Sequence, residues 1–209
     1  MKFLVQSLTS VFVTQLDLDQ EKEQVVTYAL QLIISTITAY VLIIVFAYLL
    51  GILHIVLPMA IAHSVLRVCA GGAHGSTSTH CFIMGVLIFN TLGAIVKTIL
   101  PLYNSTTLYV SSLLIFIFAI IIVRKFAPAD VPDKPIATQA QREKLRKISL
   151  WVIVIWYAVI KLLLIITGDR YAIFVISTGW GILWQCFTLT KAGFKFTEVI
   201  DKLLIAVKV

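Results

Sequence analysis

The chain is short of charge. Asp, Glu, Lys and Arg make up 13% of its 209 residues and hydrophobic residues 60%, against about 25% charged and 45–50% apolar in an ordinary soluble domain. The mean hydropathy is +1.00. Nearly all the apolar residues lie in long runs, so nothing is left over for a separate water-soluble domain, and residues 1–209 read as one membrane domain. Cysteine is also scarce. Cys69, Cys81 and Cys186 form an odd, sparse set, which excludes a disulfide framework of the secreted mini-protein kind and points to free thiols in a reducing compartment. There is no HExxH, no regular zinc spacing and no nucleotide-binding loop, so the sequence calls for no metal and no cofactor. No second half echoes the first, since nothing after residue 105 resembles GGAH, and this weighs against an inverted-repeat transporter. Residues 1–27 lack the pattern of a cleavable export signal: polar residues interrupt FLVQSLTSVFV, and the segment ends in DLDQEKE rather than small residues.

Six apolar runs are present, at about 28–50, 52–66, 82–100, 106–123, 148–167 and 171–189. A spanning helix needs about 20 apolar residues. The expectation is therefore an all-α polytopic membrane protein of about six spans. The second run is short and holds Pro58, His54 and His63, so a straight, a tilted and a re-entrant segment all remain open there. Phe3, Leu4, Leu8, Val11 and Phe12 recur at helical spacing and predict an interfacial amphipathic helix within residues 1–27. The tail at 194–209 predicts another. Its apolar positions 196, 199, 200, 203, 204 and 207 fall on one helix face, with Lys195, Glu198, Asp201 and Lys202 opposite.

Seven of the 17 Lys and Arg residues sit in the 124–147 loop. The positive-inside rule places that loop, both termini and the 67–81 stretch in the cytoplasm. The net charge of +7 does not call for nucleic acid, because the main basic cluster adjoins a membrane segment and suits anionic lipid or an acidic peptide.

Between the second and third runs lies RVCAGGAHGSTSTHC, from Arg67 to Cys81. A thiol becomes a nucleophile as thiolate, which needs a cation, a helix N-terminus or a histidine base beside it. Gly71, Gly72 and Gly75 let the backbone turn, and GSTST suits the entry to a helix at whose start Cys81 would stand. His74, His80 and His63 are the candidate bases. On a straight helix His74 and Cys81 would be about 10 Å apart in rise, so the segment must fold back for them to meet. Cys69 and Cys186 read as small buried groups, His54 and His63 as interhelical hydrogen-bonding residues, and Arg67 as a helix-end anchor or a carboxylate ligand. From the residues alone three readings stand: a membrane thiol enzyme, a small transporter or channel with His54, His63 and His74 along its path, or an intramembrane metalloprotease, since Cys69, His74, His80 and Cys81 are zinc ligands by type though not by spacing.

The pattern Arg67, Gly71, Gly72, His74 and Cys81 between membrane spans resembles the AgrB (accessory gene regulator B) family of membrane cysteine endopeptidases. APADVPDKPI (Ala127–Ile136) followed by REKLRK (Arg142–Lys147) is similar to that family's alanine-proline and lysine-proline loop. The resemblance covers essentially the whole chain. It implies a protease of the Gram-positive cell membrane, working at the cytoplasmic face, that removes the acidic C-terminal segment of an AgrD-like quorum-sensing propeptide. Cys81 would be the nucleophile forming a thioester, His74 the general base, and Arg67, Gly71 and Gly72 supporting residues. A cysteine or serine of the precursor would then close a thiolactone or lactone ring. Lys134, Arg142, Lys144, Arg146 and Lys147 would hold the acidic segment, and the resemblance implies a homodimer. A third catalytic residue and the oxyanion donors are not identifiable in the sequence.

Overall fold

The computed structural model describes residues 2–16, 19–129 and 138–207. Within them every regular element is helical. Helix α1 (Lys2–Leu16) is followed by α2 (Gln20–Leu49), α3 (Leu53–Ala70), α4 (Ser78–Ile99), a 3-10 turn at Leu100–Leu102, α5 (Ser105–Phe126), α6 (Gln139–Thr167), α7 (Ala172–Thr188) and α8 (Lys191–Ala206). Among the described residues five helices, α2 to α6, are long and apolar enough to cross a membrane, and α7 with α8 makes a sixth if that bent pair is taken together. The protein is thus an all-helical, multi-pass membrane protein, as its hydropathy predicts.

The helix boundaries depart from the apolar runs wherever a cap or a buried partner overrides hydropathy. Asp19 caps α2, its side chain accepting from the Lys22 amide at 2.9 Å. The charged QEKE is therefore the first turn of α2 rather than part of an N-terminal interfacial segment. At 30 residues α2 is about 45 Å long, well beyond the ~30 Å hydrocarbon core. Its first turns take up α1, with Thr27 donating to Thr9 at 3.3 Å. Helix α1 buries Val5 and Thr9, while Leu8, Val11 and Phe12 are left exposed.

The second run is one unbroken helix of 18 residues with Pro58 inside it. It continues past the predicted end at 66 and takes Arg67 to Ala70 with it, while α4 begins at Ser78. Only 71–77 of the predicted 67–81 loop is non-helical. The α3 extension survives because Leu66 and Ala70 are fully buried.

Helix α7 lies at the centre, packed most extensively on α3 and also against α5, α4 and α8. One apolar cluster, around Ile55, Val56, Met59, Phe89 and Ile160, fills the end of the bundle where α3 starts. A second, around Leu66, Val123, Ile153, Ile182 and Cys186, underlies the other end. That second end carries the glycine-rich segment. Backbone contacts gather 70–77, 127–129 and the end of α7 there. After α7 the chain turns by 86°, and α8 lies across this end.

The α3–α7 contact is a backbone approach: a Cβ on Gly181 would strike the Met59 carbonyl oxygen. Gly181→Ala should lower the thermal midpoint of helix loss in detergent, by the equivalent of about 1–3 kcal/mol for overpacking. Gly85→Ala, whose Cβ would meet only Ile43 Cδ1 at 3.7 Å, should instead be neutral or gain roughly 0.5–1 kcal/mol. Circular dichroism melts of the two variants make the comparison.

Candidate active site

Two glycines start the site. Gly71 ends α3 with φ +70°, its amide bonded to the Arg67 carbonyl at 2.9 Å, and Gly72 follows with φ +140°. An L side chain is strained at either position, and space forbids one as well. A Cβ on Gly71 would lie 2.5 Å from the Ala129 carbonyl oxygen, and one on Gly72 2.8 Å from Thr188 Oγ1. The close approach lets neighbouring elements take up the polar backbone of the turn. Ala129 N–H donates to the Ala70 carbonyl at 2.9 Å, Gln185 Nε2 to the Gly71 carbonyl at 2.7 Å, and Ala73 N–H to the Thr188 carbonyl at 3.0 Å. Gln185 is fully buried, so its amide needs that bond.

Arg67 lies under this turn. Its NH2 donates to the Ala73 carbonyl at 2.6 Å and sits 3.3 Å from His74 Nδ1, while NH1 reaches Thr188 Oγ1 at 3.5 Å. The planar guanidinium serves several acceptors at fixed angles, which an ammonium could not. Arg67 is therefore neither a snorkelling anchor nor an open carboxylate ligand in this state. It joins α3, the turn and α7.

Cys81 stands in the first turns of α4, whose N-cap Thr77 accepts from the His80 amide at 3.1 Å. The preceding segment does fold back, as a pairing of residues 74 and 81 would require. Gly75 N–H donates to Cys81 Sγ at 3.2 Å, beside exposed His74. The thiol is half-buried, and both Arg67 and Asp201 are close enough to act on its charge.

Asp201 was hidden in the sequence. Amphipathic spacing puts it on the polar face of α8 with Lys195, Glu198 and Lys202, yet the structure turns it inward. Its Oδ1 lies 2.7 Å from His80 Nδ1 and accepts from Ser76 N–H at 2.9 Å. Burial opposes its ionisation most strongly, but the Ser76 hydrogen bonds and the His80 ring together outweigh that and hold its carboxyl below the usual carboxylate range. Nothing in the sequence separates Asp201 from Glu198 on that polar face; the structure does, since Glu198 pairs with Lys202 at 2.7 Å while Asp201 turns to residues 76 and 80.

The other sequence candidates divide. Arg146 Nε donates to the Ala127 carbonyl at 2.8 Å, and Arg142 NH1 to the Pro128 carbonyl at 3.4 Å. Both are thus engaged by the backbone of their own loop. Lys144 and Lys147 are exposed, and Lys134 lies outside the described residues. His54 is exposed at the far end of α3, about 20 Å in helix rise from Arg67. His63 is buried mid-helix, edge-on to Phe89 at 5.2 Å, with no hydrogen-bond partner for Nδ1 among the described residues. It does not make the interhelical bond expected of it, and the three histidines of the transport reading do not gather. Cys186 is fully buried and Cys69 partly so. Among the described residues no cluster of three or more His, Cys, Asp or Glu could hold a metal.

Comparison with known proteins places the chain in a family. The profile of the AgrB family, Accessory gene regulator B, matches residues 5–189. An AgrB-like protein of Clostridium perfringens strain SM101 is 30% identical over 194 residues, covering 90% of each chain. AgrB-like protein 2 of C. perfringens strain 13 shows the same identity and coverage. No solved structure matches the chain significantly. The chain belongs to the accessory gene regulator B family, whose members are membrane proteins of quorum-sensing peptide processing.

Proposed function

We propose that the protein is a cysteine endopeptidase that cleaves an AgrD-like propeptide on its C-terminal side, holds the remainder as a thioester on Cys81, and supports ring closure to a thiolactone or lactone. The observation that carries the reading is the folded-back segment 71–77, which sets the Gly75 N–H on Cys81 Sγ and holds the neighbouring His74 against Arg67. In the cleavage step His74 Nδ1 leaves its bond from Arg67 and takes the Cys81 proton, sulfur bonds the scissile carbonyl carbon, and the C–N bond breaks. The imidazolium returns the proton to the leaving amine. A cysteine or serine of the bound precursor then attacks the thioester, its own proton goes to Cys81, and the ring closes as the C–S bond breaks. A thioester preserves acyl reactivity, and an attached nucleophile makes closure effectively unimolecular, so it competes with water. The Gly75 amide that faces the sulfur favours its thiolate, and the start of α4 adds the positive end of a helix dipole.

The acidic C-terminal segment of the precursor is met by exposed Lys144 and Lys147 and by Lys134. Arg142 and Arg146 serve that task through the loop they fasten. The positive-inside count supports a cytoplasmic site in the cell membrane of a Gram-positive bacterium. The exposed apolar faces of α1 and α8 contact lipid, and the working unit is a homodimer.

Intact mass spectrometry of purified protein with its precursor peptide tests the chemistry. A thioester adduct and a cyclised product are expected from the wild type, no adduct from Cys81→Ala, and little or none from His74→Ala. Unchanged cleavage by well-folded Cys81→Ala would sink the proposal. Arg67→Lys should lower kcat/KM by about 10–100-fold, the equivalent of losing charge-assisted bonds of roughly 1.5–3 kcal/mol, while the helical signal is retained. Activity close to wild type would show that the fork at Ala73, Thr188 and His74 is dispensable.

A further inference from the structure

We infer that Asp201 is a positioning residue of the Cys81 site, acting through His80 and the Ser76 amide, so that the C-terminal helix α8 is part of the catalytic apparatus. The inference rests on the reading of Cys81 as nucleophile and deepens it with a residue beyond the matched segment 5–189.

Asp201 is an expensive residue in this place. Its side chain is 13% exposed, and that of His80 is 4% exposed. A carboxylate is retained in such surroundings only when donors satisfy it. Asp201 Oδ1 has two, His80 Nδ1 at 2.7 Å and the Ser76 amide at 2.9 Å. Both lie on the segment that leads into Cys81.

The two contacts act differently. A carboxylate can only accept, so the His80 proton sits on Nδ1 and a neutral ring keeps its lone pair on Nε2. Burial and the carboxylate together fix that ring, on the residue next to Cys81. The second contact acts through one peptide unit. Ser76 N–H is held by Asp201, and the preceding amide, Gly75 N–H, donates to Cys81 Sγ. Tying down the first sets the direction of the second. The elements pack closely here: a Cβ on Gly75 would lie 2.8 Å from Met84 Cε, 3.1 Å from His80 Cβ and 3.2 Å from Asp201 Oδ1, so no side chain fits between them.

Docking of α8 does not by itself account for the carboxylate. The helix is already seated by the Thr190 cap, by Gly193 close against the Phe187 carbonyl, and by Phe196 packed 5.9 Å from Trp184 and 5.7 Å from Phe187 between ring centroids. An apolar side chain at 201 would dock as well. What it would not do is hold Ser76 and orient His80.

The test is precursor cleavage by the full chain carrying Asp201→Asn, Asp201→Glu, Asp201→Ala, His80→Ala, or both alanines together. A residue that orients others is expected to cost roughly 10–100-fold in kcat on removal, with KM little changed and the melting midpoint retained. Asp201→Glu should recover part of the rate, and Asp201→Ala should add little to His80→Ala. Amide hydrogen exchange across 71–77 should quicken in Asp201→Ala. Wild-type kcat in Asp201→Ala and Asp201→Asn overturns the inference. So does a loss that tracks a lower melting midpoint, adds fully to His80→Ala and is not rescued by glutamate, because Asp201 would then only dock α8. If the wild type forms no Cys81 adduct, the cysteine reading fails on its own. Hydrogen exchange then decides the Asp201 hold separately, faster exchange supporting it and unchanged exchange overturning it.

Discussion

A polypeptide that leaves a helix at a membrane surface exposes carbonyls and amides that lipid cannot satisfy. In this protein that constraint falls on the seven residues between α3 and α4, and the rest of the site follows from how it is met. Arg67 answers the Ala73 carbonyl, buried Gln185 answers the Gly71 carbonyl, and the Thr188 carbonyl takes the Ala73 amide. Because those partners must come within about 3 Å, the turn needs two residues without Cβ atoms in left-handed backbone, Gly71 and Gly72. A short arginine-glycine-glycine pattern is thus the outward sign of a packing problem solved at backbone level. Removing Arg67 would leave the Ala73 carbonyl short of a donor and loosen the segment that holds the thiol.

The same end of the bundle explains why two distant stretches of sequence occur together. The alanine-proline loop after α5 is not simply a basic tether. Ala129 bonds the last turn of α3 and presses its carbonyl against Gly71, while Arg142 and Arg146 of α6 hold the carbonyls on either side of the Ala127–Pro128 bond. Two arginines that look in sequence like an anionic binding patch are spent on shaping the wall of the site. Lys144 and Lys147, by contrast, stay exposed.

The spans and the thiol were legible in the sequence because both have local signatures: long hydrophobic runs, and a cysteine beside histidines and glycines. What escaped depended on partners far along the chain. Hydropathy ends α3 at residue 66 because it cannot see that Leu66 and Ala70 are buried in the cluster that α6 and α7 complete. It begins α2 at 28 because it scores QEKE as polar, whereas Asp19 makes that stretch the capped start of a helix. Asp201 was misplaced for a related reason. A helical wheel of residues 194–209 puts every charge in solvent, and only the 86° bend after Thr188 brings one of them over residue 76. Arg142 and Arg146 carry no sign in their spacing that a carbonyl rather than a carboxylate is their partner.

The dispersal of these partners along the chain bears on biosynthesis. Cys81 and its glycine-rich segment leave the ribosome well before Gln185, Thr188 and Asp201. Until α7 has inserted and α8 has turned across the end of the bundle, the Gly71 carbonyl and the Ala73 and Ser76 amides lack their acceptors and donors from α7 and α8. A nascent chain that has not yet reached α7 and α8 therefore carries the Cys81 thiol without these partners, and the glycine-rich segment is framed only once both helices are in place.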